Sequence, residues 1–339
     1  MYHPSFPSVE ELLDVTTISA LGKVPVSDVR CVPIQQDEAN SGSRFFQVET
    51  NEGTGPRYFL KCTSPTPYLP PSYNDLNRSV AAWQHGILDR LPPSIDHAIV
   101  ACARVGAGYA ILMRDVRTAL MPKGRAFSLA DHALFLTTMA TMHATFWKDP
   151  ELTASPLGDH PDYFLIESAA EGWGFLEEFL EPDVTHIIRS LLQNPQPLNQ
   201  ALVQYPSTLV HNDLWWANLG IIRGDDLRIV MLDWDFAIFA PPAIDLAHYI
   251  GENAGLLPAS TEAIIASYRA HLAQNIGDHF DDRWWLPQLD LCLLGDFLRR
   301  GKWLLRAMSQ PIDNQERARS LHKLLWWSNA IRRGAQRLG

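Results

Sequence analysis

The residues best equipped for chemistry fall in one run, residues 209–237, LVHNDLWWANLGIIRGDDLRIVMLDWDFA. Residues 219–222 and 227–232 are short apolar stretches and read as strands. Residues 223–226 join them, include Gly224, and read as a tight hairpin turn. Asp213 and Asn218 precede the first strand and Asp233 directly follows the second, so all three fall at the open end of one hairpin. Any one of them alone reads as an ordinary loop residue. Together they match the needs of phosphoryl transfer: a carboxylate to take a hydroxyl proton, and hard oxygen ligands for a metal on phosphate oxygens.

Such a loop needs a partner that handles phosphate. The sequence offers few lysines: Lys23, Lys61, Lys123, Lys148, Lys302 and Lys323. Lys61 sits inside the apolar strand RYFLKC, where an ammonium is disfavoured unless it is paired. Strand alternation puts Phe59 and Lys61 on one face and Tyr58, Leu60 and Cys62 on the other. Lys61 is therefore expected to face nucleotide phosphates, the bland alternative being a side chain that snorkels to water. Strands are expected at 29–35, 44–50 and 57–62 as an antiparallel meander. The link over 36–43 carries Ser41, Gly42 and Ser43, whose backbone N–H groups could cradle phosphate; a plain hairpin loop fits the same residues.

Further elements frame these. Ser8-Val-Glu-Glu11 opens a helix with a capping-box pattern, expected to end at Gly22. A helix is expected over 74–91, with Leu76, Val80, Trp83 and Ile87 on one stripe, and strands over 98–105 and 109–113. Beyond Met113 the pattern turns helical, with helices expected at 128–147, 163–180, 184–192, 244–252, 260–273, 286–308 and 314–337. The basic residues of the last one, Arg317 to Arg337, read as a solvated face. The fold class is α+β, with a small antiparallel-sheet lobe over 1–113, a hinge over 114–123 and a mainly helical lobe over 124–339 that carries the catalytic loop.

Whole-chain properties narrow the classes of partner. The chain has 339 residues, 46% of them hydrophobic and 19% charged, enough for two sizeable cores. A net charge of −10 argues against nucleic acid and against an anionic membrane surface. The four cysteines form no CxxC pair, which fits a reducing compartment rather than a disulfide or zinc scaffold. No signal peptide and no run of about 18 apolar residues is evident, so a cytoplasmic protein is expected.

Four segments carry a family resemblance: VHNDLWWANL, MLDWDFA, PAIDLA and TMATMHATFW. They resemble the HGDLxxxN, IDWExA, DPxxDLA and LAxLHxxxW motifs of the aminoglycoside phosphotransferase and choline kinase-like family, in order along most of the chain. The resemblance implies a two-lobed protein kinase-like fold. It also implies ATP- and Mg²⁺-dependent transfer of the terminal phosphate to a hydroxyl of a small molecule, such as an aminoglycoside, choline, an aminoalcohol or a sugar-like acceptor.

By position it makes Asp213 the catalytic base, Asn218 and Asp233 the Mg²⁺ ligands, and Lys61 the lysine on the nucleotide phosphates; Ser41, Gly42, Ser43 and Met113 are the further candidate nucleotide contacts. His211 becomes a structural loop histidine and Asp245 the aspartate that braces the loop. Asp235 falls at a frequently acidic position, open to metal-bound water, to substrate or to a plain loop role. Two departures stand out. Asn212 occupies the motif glycine, and Ser79 stands where the family's REVxxY segment has the glutamate that pairs with the strand lysine. Asp75, one turn earlier, is a candidate substitute. The competing reading is a catalytically silent binding relative, for which Ser79 is the argument. A protein kinase is disfavoured by the lack of GxGxxG, DFG and APE segments, and metal-dependent hydrolysis is conceivable with the same ligands. Trp215, Trp216 and Trp234 are open to two roles, holding a cationic acceptor or packing the loop. Trp173, Trp284 and Trp285 could line the acceptor site or fill the core.

Overall fold

The computed structural model describes residues 1–34, 43–63, 77–158, 163–164, 173–224, 226–310 and 314–339. The chain divides into two compact units. The first comprises Met1–Lys123, Ser155–Leu157 and Trp216–Ala237, and the second Gly124–Ala154, Gly158–Trp215 and Ile238–Gly339.

The first unit is built on a five-stranded antiparallel sheet. Its strands are β1 (Val29–Ile34), β2 (Arg44–Thr50), β3 (Tyr58–Thr63), β5 (Ile99–Val105) and β6 (Gly108–Arg114), in the order β1-β2-β3-β6-β5. The core of the sheet is small and apolar: Val48, Leu60, Cys62, Ala101, Cys102, Ala110, Ile111 and Leu112 are all buried. A second sheet joins β4 (Ile95–Asp96), β9 (Arg228–Met231) and β8 (Leu219–Ile222), with β9 central. It places the hairpin read from the sequence. Ile95 pairs in parallel with Ile229, and Leu219 pairs antiparallel with Met231. On the other edge Met121 N–H donates to Leu219 O, and Gly220 bridges Leu120. A Cβ on Gly220 would stand 2.7 Å from Ala119 O, so only glycine permits this approach.

Two helical expectations in this unit change. The N-terminal helix is two pieces, α1 (Val9–Leu12) and α2 (Val15–Gly22). Asp14 starts the second by accepting from Thr16 N–H, which a single amphipathic stripe does not reveal. The helix expected over 74–91 is α3 (Arg78–Gln84), and its residues 74–76 lie outside the described residues. It stops because Gly86 adopts φ 66°, although the apolar stripe continues to Ile87. A 3-10 turn, Leu88–Arg90, follows.

His97, beside β4, gives this unit a measurable acid sensitivity. Its Nδ1 accepts from Ile99 N–H at 3.1 Å. Burial pushes its pKa from 6.5 down to about 4, only partly offset by the charge of Asp96. The folded imidazole is thus neutral where the unfolded one is protonated. Its contribution is fully present above about pH 6.5 and is lost as pH falls toward about 4. The loss amounts to roughly 3 kcal/mol at most. Urea denaturation between those pH values should show this slope, and His97→Asn, which keeps an acceptor without the proton, should flatten it.

The second unit is helical. Its helices are α4 (Leu129–Thr145), α5 (Pro150–Thr153), α6 (Leu176–Phe179), α7 (Pro182–Gln193), α8 (Gln196–Val203), α9 (Ala243–Asn253), α10 (Thr261–Ile276), α11 (Asp282–Met308) and α12 (Asn314–Gln336). A two-stranded ribbon, β7 (Thr208–Val210) with β10 (Ile238–Ala240), completes it. The helix expected over 163–180 is, among described residues, a 3-10 turn at Trp173–Phe175 followed by α6. The last helix is less solvated than its composition suggests. Arg332 pairs with Glu181 and Asp183, and Arg333 and Arg337 both pair with buried Asp290. Trp285 is fully buried in the core and Trp284 is half-buried beside it, in an aromatic cluster with Trp147, Tyr268 and Phe280.

Candidate active site

In the first unit the hairpin sets the oxygen donors. Asn218 closes a 3-10 turn, Trp216–Asn218, and its carbonyl accepts from Leu232 N–H at 2.9 Å. That bond puts Asn218 and Asp233 at the same end of the β8–β9 ladder. Asp233 has left-handed backbone angles, φ 63° and ψ 71°. Such a conformation is costly for a residue with a Cβ and persists where its surroundings impose it. Here Trp234 imposes it: the indole is fully buried and its N–H donates to Met231 O at 2.9 Å. Truncating a buried tryptophan costs on the order of 3–5 kcal/mol, more than the backbone strain it holds. Trp234 therefore packs the turn and presents no face to a cation.

Lys61 reaches this turn from β3, where it pairs with Phe45 of β2 and Ile111 of β6. It is only 5% exposed. Its Nζ donates to both carboxylate oxygens of Asp233, each at 2.8 Å, and to Asp235 Oδ2 at 2.8 Å. Burial alone would push the ammonium pKa down; the charges of Asp233 and Asp235 outweigh it and hold the group above its ordinary range. Burial alone would raise Asp235, but Lys61 and then the Ser79 hydrogen bond hold it below the usual carboxylate range. Ser79 Oγ donates to Asp235 Oδ1 at 2.6 Å. Of the other expected nucleotide contacts, Met113 is half-buried in β6, paired with Phe59 and Ile99. Ser43 is half-buried just before β2, and Ser41, Gly42 and the alternative acid Asp75 lie outside the described residues.

The oxygen set suits a hard divalent cation. Asp233 keeps a side chain 34% exposed and Asn218 supplies an amide oxygen at the same hairpin end. Among the described residues no group of three His, Cys, Asp or Glu could hold a metal unaided. A cation here would complete its shell with phosphate oxygens and water, as Mg²⁺ does at nucleotide sites.

In the second unit the loop that carries Asp213 hangs on Asp245. This carboxylate, fully buried at the start of α9, accepts from His211 N–H at 2.9 Å and Asn212 N–H at 2.6 Å. His143 of α4, also fully buried, lies with Nε2 3.1 Å from Asp245 Oδ2 and bonds Tyr268 OH through Nδ1. Burial alone would raise the Asp245 pKa; the hydrogen bond from His143 and its charge outweigh burial and hold it below the usual carboxylate range. The loop then closes on itself: Asp213 N–H donates to His211 Nδ1 at 3.2 Å.

Asn212 takes φ 61°, a conformation asparagine tolerates better than most residues. Its side chain adds what glycine cannot. Arg299 Nη1 donates to Asn212 O at 2.9 Å and to Asn212 Oδ1 at 2.8 Å, fixing the turn from α11. Asp213 itself lies with Oδ1 3.3 Å from Arg300 Nη2 and 3.4 Å from His248 Nε2. Burial would raise its pKa, but His248, Arg300 and Arg299 reverse the effect and hold it well below the usual carboxylate range. Arg300 is balanced in turn by Glu252 at 2.7 Å.

Several of these residues escaped the sequence reading. In the sequence Ser79 shows only as the absence of a glutamate, and no local signal points to Arg299, Arg300 or His248. His143 is the histidine of the TMATMHATFW segment, whose sequence carries no sign of its link to Asp245 102 positions away.

A phosphotransferase enzyme family model matches residues 34–282 of the chain. The chain belongs to the phosphotransferase enzyme family. Its sheet-based N-terminal region and helical C-terminal region match solved structures of that kind. One is amicoumacin kinase hAmiN in complex with AMP-PNP, Ca²⁺ and Ami: 16% identity, 95% of this chain and 94% of that one, TM-score 0.52. Another is a microcompartment-associated aminopropanol kinase: 15% identity, 94% and 95% coverage, TM-score 0.52. These likenesses establish a kinase-like fold. Compared with curated proteins by sequence, the chain matches none.

Proposed function

We propose that this phosphotransferase moves the terminal phosphoryl group of ATP, with Mg²⁺, to a hydroxyl of a small molecule. An acceptor of the aminoalcohol, choline, aminoglycoside or sugar-like kind is the best match. The observation that carries the reading is the bond from Lys61 to Asp233, which joins a buried strand lysine to the hairpin acid at 2.8 Å. A lysine and an oxygen-donor pair of this kind suit the phosphates of a metal–nucleotide complex. The likeness in fold to kinases whose structures or names involve AMP-PNP, Ca²⁺ and aminopropanol supports the same reading.

Each residue then has a task. Lys61 binds phosphate oxygens and lowers the charge that repels an incoming oxygen. Asn218 and Asp233 would hold Mg²⁺, which would supply charge neutralisation at the phosphate oxygens. Asp213 accepts the hydroxyl proton as the acceptor oxygen bonds to phosphorus and the bond from phosphorus to the leaving ADP oxygen breaks. Its low pKa keeps it ionised and able to orient the hydroxyl, and passes the proton quickly to water. Met113 and residues 41–43 complete the nucleotide contacts, in a lobe proposed to run over 1–113 with a hinge over 114–123.

Asp233→Ala should abolish the Mg²⁺-dependent part of ATP affinity in a calorimetric titration. Unchanged MgATP affinity in that variant would remove Asp233 from the metal site.

A further inference from the structure

The missing glutamate has a replacement within the first unit. We propose that Asp235, pinned by Ser79, is the positioning residue that keeps Lys61 in place while Asp233 serves the metal. This rests on the nucleotide reading above. Lys61 has three N–H donors, and its Nζ reaches three oxygens: both of Asp233 and one of Asp235. An ammonium 5% exposed needs a carboxylate at all times. A cation on Asp233 would share that residue's charge. Asp235 does not face the same competition, since one oxygen is committed to Lys61 and the other to Ser79.

The frame around Asp235 is rigid. Arg78 to Trp83 of α3 are all buried, and α3 packs against the turn Trp234–Phe236. Asn77 caps α3 by accepting from Val80 N–H at 3.0 Å. The same side chain donates to Thr63 Oγ1 at 3.1 Å, which ties the helix start to the strand that carries Lys61. The helix therefore delivers a hydroxyl to the site and the turn delivers the acid. Ser79 in this position holds the acid that takes the place of a glutamate.

The test is ATP binding by the full chain without acceptor, measured by calorimetry with and without Mg²⁺, alongside KM values for ATP and acceptor. Asp235→Asn should weaken ATP binding about 10- to 100-fold, the usual range for losing such a supporting partner. The loss should be alike with and without Mg²⁺, and should appear in the KM for ATP but not for the acceptor. Ser79→Ala should give a smaller loss of the same kind. In the double variant Asp235→Ala with Ser79→Glu, a carboxylate supplied from α3 should recover most of the binding lost in Asp235→Ala alone.

Wild-type affinity in Asp235→Asn would overturn the proposal. So would a loss confined to titrations with Mg²⁺, which would make Asp235 a metal ligand. Failure of Ser79→Glu to recover binding, in a double variant with a wild-type melting curve, would overturn it too. Absence of ATP binding by the wild-type chain would instead remove the nucleotide reading itself, and this proposal with it.

Discussion

Asp213→Asn is expected to lower kcat by about 10³-fold, within the range for removal of a positioned general base, and to leave MgATP affinity near wild type. The split follows from what Asp213 touches. Its backbone N–H bonds His211, which the substitution leaves in place. Arg300 keeps Glu252 at 2.7 Å, so removing the Asp213 charge does not strand a buried cation. Lys61, Asn218 and Asp233, the residues proposed to hold the metal and nucleotide, belong to the other unit. What the substitution removes is the oxygen proposed to orient the hydroxyl and take its proton. Because His248 and the two arginines hold Asp213 well below the usual carboxylate range, it stays ionised from neutral pH down past about pH 4. An acidic limb in the wild-type rate above that pH would therefore belong to another group. Retained transfer with lost ATP binding in Asp213→Asn would contradict the assignment.

Asp245→Ala should cost on the order of 3–5 kcal/mol of stability, the range for breaking a buried charged pair, and remove activity with it. Asp245 accepts from two backbone N–H groups and from His143, and all of these partners are at most 2% exposed. Alanine leaves each without an acceptor and without access to water. Because the folded pKa of Asp245 is depressed, its contribution is present above its unfolded value of about 3.9 and is lost as pH falls below that. Asp245→Asn, which retains one acceptor oxygen, should lie between wild type and alanine in urea denaturation. A wild-type midpoint for Asp245→Ala would show that the loop does not depend on this carboxylate.

How far the sequence discloses these sites depends on the distance between partners. The hairpin was legible because its signals are local: two apolar runs, a glycine turn and oxygen donors at fixed offsets. Lys61 was legible because a lysine in an apolar strand demands a partner. The identity of that partner was not, since Asp233 lies 172 positions away. Ser79 read as a defect because a serine carries no charge signature, and its bond to Asp235 spans 156 positions. Arg299 and Arg300 lie in a long helix whose pattern signals burial and says nothing about which loop it meets. The helix stop at Gly86 was hidden by an apolar stripe that continues past it. The arginines of the last helix read as solvated because their acids, Asp183 and Asp290, stand on other helices, 149 and 43 positions away, and nothing local marks the pairing. Asp245 was legible only through the family motif, since one aspartate in a helix predicts no partner.

The most direct test of phosphoryl transfer is mass spectrometry of hydroxylated amines, sugars and aminoglycosides incubated with the protein, ATP and Mg²⁺. At least one acceptor is predicted to gain a single phosphoryl group, matched by ADP, with wild-type protein and not with Asp213→Asn. ATP that is untouched across the acceptors, or is hydrolysed to free phosphate equally by wild type and Asp213→Asn, would contradict the account.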